Sequence, residues 1–355
     1  MARRSSTAEQ AEEAVPSLHP KNSEYLVAHG AIEKQLLAMI NANKLPHALL
    51  LTGPRGIGKA TLAYRIARFL LTPAEAAGAS LFGESLPPES LHVSASHSIF
   101  RRIAQNAHPD LLVLEADDIK VEEARTVGAF LSLTPAESAW RVVIIDSADA
   151  MNRSAANALL KILEEPPAQA ILILVSHNPG ALLPTICSRC RTLRVSPLSE
   201  SDFARILSTI APQVAPQECH MLALLSGYSP GVALSLIECK ADILYQEIFE
   251  RITVPDTLKL HSFAERFARK ESDKEWRVFT RLFLWLLTRI STQEAGIKTE
   301  IFPGEKQALE RIFAAKPLDL WTELWEKAQT LLSDTQRLHL DRKQAILTLF
   351  RAIAE

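Results

Sequence analysis

The chain has 355 residues, 47% of them hydrophobic, which is enough apolar material for two or three packed domains. Its formal net charge of −2 argues against a protein that coats DNA nonspecifically, although a local basic patch is compatible with it. No apolar run is long enough to span a bilayer and residues 1–20 lack the apolar centre of a secretion signal, so the cytosol is the expected compartment.

Residues 1–20 open with Met1-Ala2-Arg3-Arg4-Ser5-Ser6, then turn acidic, and read as a disordered tail. His47–Thr52 (HALLLT) reads as a short buried strand. It leads into Gly53-Pro54-Arg55-Gly56-Ile57-Gly58-Lys59-Ala60, which fits the phosphate-binding pattern G-x-x-x-x-G-K-[ST] except at its last position. In that pattern the glycines let backbone N–H groups curl around phosphate, the lysine reaches the terminal phosphates, and the hydroxyl ligates Mg²⁺. Here Gly53, Gly58 and Lys59 are in place but the hydroxyl position is Ala60. Thr61 is one residue on, and one helical step turns a side chain by about 100°, so its hydroxyl is expected to point elsewhere. A glycine-rich turn alone can be a mere tight connection. Its setting argues for more: a strand before it, and after it a helix over Ala60–Leu71 with Leu62, Ile66, Phe69 and Leu70 at helical spacing.

Between Pro73 and Asp110 there is no cysteine. His92, His97 and His108 lie there without thiolate partners and read as surface or turn residues. Arg141–Asp146 (RVVIID) is an apolar strand ending in a carboxylate, the form of a Walker B strand whose aspartate helps hold Mg²⁺. Hydrolysing enzymes of this type usually place a glutamate next, to orient the attacking water, but here Ser147 follows, within Asp146-Ser147-Ala148-Asp149. Ala170–Ser176 (AILILVS) reads as a further buried strand. Cys187 and Cys190 form a C-x-x-C pair, yet Cys219 and Cys239 fall in separate predicted helices at no zinc-site spacing, so neither a metal knuckle nor a redox pair is expected.

From Pro197 the pattern turns helical. Asp202–Ile210, Gln217–Ser226 and Pro230–Ile237 read as short helices, and a longer helical region follows. There Phe279, Leu282, Phe283, Leu286 and Leu287 repeat at helical spacing, and Trp276, Trp285, Trp321 and Trp325 read as packing residues.

Several segments together resemble bacterial DNA polymerase III clamp-loader subunits. They are Leu45–Pro54, His108-Pro109-Asp110, Asn157–Pro167 (NALLKILEEPP), Pro184–Arg191 with its Ser188-Arg189-Cys190 signature, and Leu338–Gln344, so the likeness runs from about residue 20 to the end. The resemblance implies an α/β fold: a P-loop AAA+ module, a parallel sheet flanked by helices, over residues 21–196. A small three-helix lid over 197–250 and an all-α collar over 251–355 would follow. Ala170–Ser176 would carry the position called sensor 1. Ser229-Pro230-Gly231-Val232 would be the sensor 2 region, where Val232 stands in place of the arginine of active relatives.

The function implied is that of a non-hydrolysing member of a hetero-pentamer with delta and gamma or tau subunits. That assembly loads the sliding clamp onto primer–template DNA as part of the polymerase holoenzyme. Arg189, flanked by Ser188 and Cys190, would enter a neighbour's ATP site as an arginine finger. Gly53, Arg55, Gly56, Gly58, Lys59, Ala60 and Thr61 would form a degenerate nucleotide loop, and Asp146 and Ser147 a Walker B remnant. No cofactor would be required, any ATP binding would be weak or vestigial, and no zinc is expected. The alternatives are an active AAA+ ATPase of the gamma/tau type and a P-loop kinase that uses the C-terminal helices as a substrate domain. Ala60, Ser147 and Val232 count against the first, and Ser188-Arg189-Cys190 has no place in the second.

Overall fold

Runs of aliphatic residues with no polar alternation are what a sheet covered on both faces requires. Ala48–Thr52 (β1), Leu111–Glu115 (β2), Arg141–Asp146 (β3), Ala170–Ser176 (β4) and Arg191–Arg194 (β5) form one parallel sheet in the order β2-β3-β4-β1-β5. All of β1 and β4 is buried. At the edge, β5 buries only Leu193, and its exposed Arg191 and Arg194 discourage pairing with another chain. The computed structural model describes residues 19–73, 88–115, 119–254, 256–269, 272–292 and 300–354. The tail expected over residues 1–20 lies almost wholly outside the described residues, as does 74–87 of the cysteine-free interval.

The chain divides into two compact units. The first runs to Ala215 and takes in Tyr228–Gly231. Its helices are Gly30–Asn41 (α1), Lys59–Leu71 (α2), Ser98–Ala104 (α3), Val121–Leu131 (α4), Arg153–Glu164 (α5), Pro184–Cys187 (α6) and Glu200–Ile210 (α7). Side-chain caps set the starts of α5, α7 and α3. Asn152 accepts from the Ala155 amide at 2.8 Å, Ser199 from Asp202 at 3.1 Å, and His97 from Ile99 at 3.2 Å. Val127 and Leu131 of α4 and Leu159 and Leu163 of α5 pack on Leu50, Val143 and Leu172 of the sheet. Asp110 is fully buried and accepts the amides of Ala136, Glu137 and Ser138, which fixes the loop leading into β3. Arg68 of α2 donates to the Ser23 carbonyl at 2.8 Å and stacks on Phe100, pinning the segment before α1.

The second unit holds Pro216–Gly227 and Val232–Glu355. Its elements are Pro216–Ser226 (α8), most of Pro230–Glu238 (α9), Ala241–Thr253 (α10), Thr257–Glu265 (α11), Asp273–Ser291 (α12), Glu305–Ala314 (α13), Leu318–Arg337 (α14) and Arg342–Ala354 (α15). Trp276, Phe279, Leu282, Phe283, Leu286 and Leu287 form the buried face of α12, and Trp321 is buried on α14. Phe279 meets Phe267 at 5.1 Å and Phe283 meets Phe350 at 5.5 Å between ring centres. Among the described residues no single helix is long and apolar enough to cross a membrane.

A carboxylate lies inside this helical core. Glu305 has no exposed surface and accepts from Tyr245 Oη (2.5 Å), Arg289 Nη2 (3.0 Å) and the Ile301 amide (2.7 Å). Glu305→Ala takes the carboxylate from a buried guanidinium and is expected to cost about 3–5 kcal/mol. Urea unfolding followed by tryptophan fluorescence reads this, because four of the five tryptophans lie in this unit. A loss under about 1 kcal/mol, the size of an ordinary surface change, would contradict the assignment.

Candidate functional site

β1 lies between β4 and β5; its own connection runs to β2 at the far edge, while that of β4 runs the other way, past β1 to β5. Loops at the carboxyl ends of strands at such a point are where open α/β sheets bind ligands. The loop Gly53–Gly58 occupies that place and ends at the N-terminus of α2. Gly53, Gly56 and Gly58 have φ of +147°, +76° and +99°, conformations that other residues adopt only under strain. A Cβ on Gly53 would lie 2.1 Å from the Val195 carbonyl oxygen.

The carbonyls of this loop all have partners. Lys59 Nζ donates to Gly53 O at 2.6 Å and to Pro54 O at 2.5 Å. Ser229 Oγ donates to Arg55 O at 2.7 Å, and the Gly231 amide to Gly56 O at 2.9 Å. His29 Nε2 is 2.8 Å from Ile57 O, which assigns the proton to that nitrogen. The Leu62 amide takes Gly58 O as the first bond of α2. Gly231 has no room for a side chain, since a Cβ would stand 2.9 Å from Gly56 Cα.

The charged groups around the loop are strongly perturbed. Burial pushes the Lys59 ammonium down to about 8; Asp146 and Asp149 pull it up, and Arg55 adds to the depression. Burial also raises the Asp146 carboxyl, with help from Glu115, its register partner on β2. Glu115 in turn accepts from Tyr64 Oη at 2.5 Å and pairs with His19 at 3.3 Å. Burial opposes the charge of Asp149, but bonds from Ser176 Oγ (2.6 Å) and the amides of His177 (2.5 Å) and Asn178 (3.1 Å) hold its carboxyl below the usual range. Ser147 Oγ donates to the same carboxylate at 3.2 Å.

These residues suit an anion better than a metal. The α2 N-terminus, the glycine amides, Lys59 and Arg55 offer donors and positive charge to phosphate. A Mg²⁺ ion would find no oxygen on Ala60 and no carboxylate at Ser147, and the Asp149 oxygens are already engaged. Among the described residues no group of three His, Cys, Asp or Glu side chains is placed to hold a metal ion.

The turn between α6 and β5 forms a second feature. Arg189 Nη2 pairs with Glu164 Oε1 at 2.8 Å and Nη1 donates to Thr185 O at 3.0 Å; neither partner belongs to the loop 53–58. Ser188 Oγ also donates to Thr185 O, at 3.1 Å. Cys190 is buried in the core under α4 and α5, where burial, with Cys187 beside it, pushes its thiol up to about 12. Both cysteines are free.

Gly53, Arg55, Gly56, Gly58, Lys59, Ala60, Asp146 and Ser147 thus come together around one loop, while Ser188, Arg189 and Cys190 form the separate turn. Sequence reasoning missed His29, Glu115, His177 and the direct contact of Ser229 and Gly231 with the loop. The Ser-Pro-Gly run was the available signal for the last of these.

His177 directly follows β4. Burial and the charges of Lys59 and Arg55 push its imidazole down to about 4, and its buried Nδ1 has no hydrogen-bond partner. Between pH 4 and 6.5 the unfolded chain binds more protons at this residue. Its contribution to stability is therefore present above about pH 6.5, the free imidazole value, and is lost as pH falls through the folded value. Proton NMR of the ring is expected to give a midpoint near 4, and one at about 6.5, the value of a free imidazole, would refute the placement.

Sequence comparisons agree with this geometry. A family model described as DNA polymerase III, delta subunit matches residues 28–199. The DNA polymerase III subunit delta' of Pseudomonas aeruginosa is 38% identical over 195 residues, which are 54% of this chain and 55% of that protein. The delta' subunit of Bacillus subtilis is 33% identical over 204 residues, 57% and 56% of the two chains. The DNA polymerase III subunit gamma of Buchnera aphidicola is 30% identical over 254 residues, 69% and 66%. The chain spans about half the length of the delta' relatives it matches. Through its P-loop module the chain belongs to the bacterial DNA polymerase III delta-type clamp-loader family.

Proposed function

We propose that this chain is the non-hydrolysing, delta-prime-type member of a DNA polymerase III clamp loader. It would assemble with delta and gamma or tau subunits into a pentamer that places the sliding clamp on primer–template DNA. Residues 197–250 would serve as the lid and 251–355 as the collar that joins the subunits. Arg189 would enter the ATP site of an adjacent gamma or tau subunit. A guanidinium suits this work because it is permanently charged and presents a planar fork to phosphate oxygens. Arginines supplied in trans contribute about 10³–10⁵ in rate in GTPases.

The observation that carries the non-hydrolysing reading is the fate of the oxygens that would hold a metal and aim a water. Position 60 is alanine, position 147 is a serine that donates its proton to Asp149, and Asp149 already accepts from Ser176, His177 and Asn178. The loop itself is braced by the chain's own donors, so nucleotide is not needed to shape it.

Two outcomes follow. The isolated chain, given ATP and Mg²⁺, is expected to release phosphate no faster than buffer does, and to co-elute with delta and gamma or tau of its own source in gel filtration. Sustained turnover would support an active gamma/tau-type ATPase instead, and failure to co-elute would remove the clamp-loader role. The purified chain is also expected to carry no stoichiometric zinc. About one zinc per chain by elemental analysis, the ratio of one structural site, would contradict that.

A further inference from the structure

The segment Leu163-Glu164-Glu165-Pro166-Pro167 takes no part in the nucleotide loop, yet it supplies the carboxylate that touches Arg189. We propose that Glu164 is a positioning residue for Arg189. It holds the guanidinium folded against its own chain until the phosphate oxygens of a neighbouring site displace it. This rests on the reading of Arg189 as an arginine that acts in trans.

Both ends of the guanidinium fork are occupied within the chain, Nη2 by Glu164 Oε1 at 2.8 Å and Nη1 by Thr185 O at 3.0 Å. An arginine held this way has both Nη atoms engaged and its charge already paired, so its fork is turned toward its own chain. To meet phosphate with its whole fork it must leave the carboxylate.

The supports on either side are rigid. Leu163, just before Glu164, is buried against the sheet, and His47 Nε2 meets its carbonyl at 3.2 Å. Ile186 and Cys190, on either side of Arg189, are buried in the same core. The exchange therefore needs only a side-chain rotation, a motion on the picosecond to nanosecond scale for exposed groups.

Glu164 is also in a place that local physics disfavours. It is the last residue of α5, where the helix dipole is negative and a cation is preferred. A carboxylate there is set against the dipole, and Arg189 is what offsets it. Local rules are broken most often where a residue has work to do.

The strength of the contact suits a latch that yields. Arg189 and Glu164 are 36% and 50% exposed, so water and salt weaken the pair. A phosphate carries more negative charge than the carboxylate and matches the fork in two places, so it is the better partner once a neighbour brings it near. Glu164 then sets a threshold for engagement and does not forbid it.

The test rebuilds the complex with wild-type chain, Glu164→Gln, Arg189→Ala and the double variant, with assembly checked by gel filtration. Steady-state ATPase is read without DNA at low and high salt. Glu164→Gln is expected to raise the rate about two- to fivefold, the range an exposed ion pair supports, and the gain shrinks at high salt. Arg189→Ala lowers the rate, and the double variant matches Arg189→Ala alone, because the carboxylate acts only through the arginine. In the isolated chain, phenylglyoxal should modify Arg189 faster in Glu164→Gln than in wild type, as read by peptide mass.

A Glu164→Gln rate at or below wild type, with Arg189→Ala still impaired, overturns the latch and leaves the trans arginine standing. Modification of Arg189 at the same rate in Glu164→Gln and wild type overturns the latch as well. Equal rates for Arg189→Ala and wild type overturn the trans reading itself, and the latch with it. Should Glu164→Gln fail to assemble, Glu164→Ser carries the same comparison.

Discussion

The nucleotide loop depends on where Lys59 spends its hydrogen bonds. An ammonium with 2% of its surface exposed must be solvated by something, and here two carbonyls of its own loop do it. Those bonds draw Gly53 and Pro54 toward the start of α2 and close the loop from inside. Ser229, Gly231 and His29 close it from outside. A buried carbonyl without a donor costs about as much as a lost hydrogen bond, so the set of partners keeps the loop in one shape. The glycines follow from this. Gly53 has Val195 against it and Gly231 has Gly56 against it, and neither leaves room for a methyl group.

The carboxylates follow a similar logic. Asp149 stands at the end of the sheet where charge is useful for chemistry, but it ties the loop after β3 to the end of β4 through Ser176, His177 and Asn178. Asp146 stays beside Lys59 and Glu115, its carboxyl raised by burial. What remains at the site is a positive, amide-rich loop with no hydroxyl at position 60 and no carboxylate at position 147. Under the proposed function such a loop takes no part in hydrolysis, and the chemical contribution would come from the other turn, at Arg189.

Much of the fold was legible because both kinds of signal are local. Strands covered on two faces are continuous aliphatic runs, so β1, β3 and β4 stand out, and their bounds differ from expectation by one residue at most. The helix after the loop begins at Lys59, one residue earlier than its periodicity suggests. Strand β5 was not legible, because an edge strand of four residues with two arginines carries no apolar pattern. In the site, Gly53, Gly58 and Lys59 were readable since backbone shape and charge at a turn are set by neighbours in sequence. The contacts of Ser229 with Arg55 and of Arg189 with Glu164 join residues far apart along the chain, and no spacing rule announces them. His108 was expected at the surface or in a turn; it sits in a turn but is 5% exposed, its Nδ1 accepting the Asp110 amide.

A loop whose carbonyls are all held by the chain's own donors is the centre of the proposed mechanism. Hydrogen–deuterium exchange of the amides of residues 53–62, in the full chain with and without ATP and Mg²⁺, tests this most directly. The expected result is slow exchange in both, with little change on adding nucleotide. Fast exchange that becomes protected only when ATP and Mg²⁺ are present would show a loop built to close on substrate, and would contradict the mechanism.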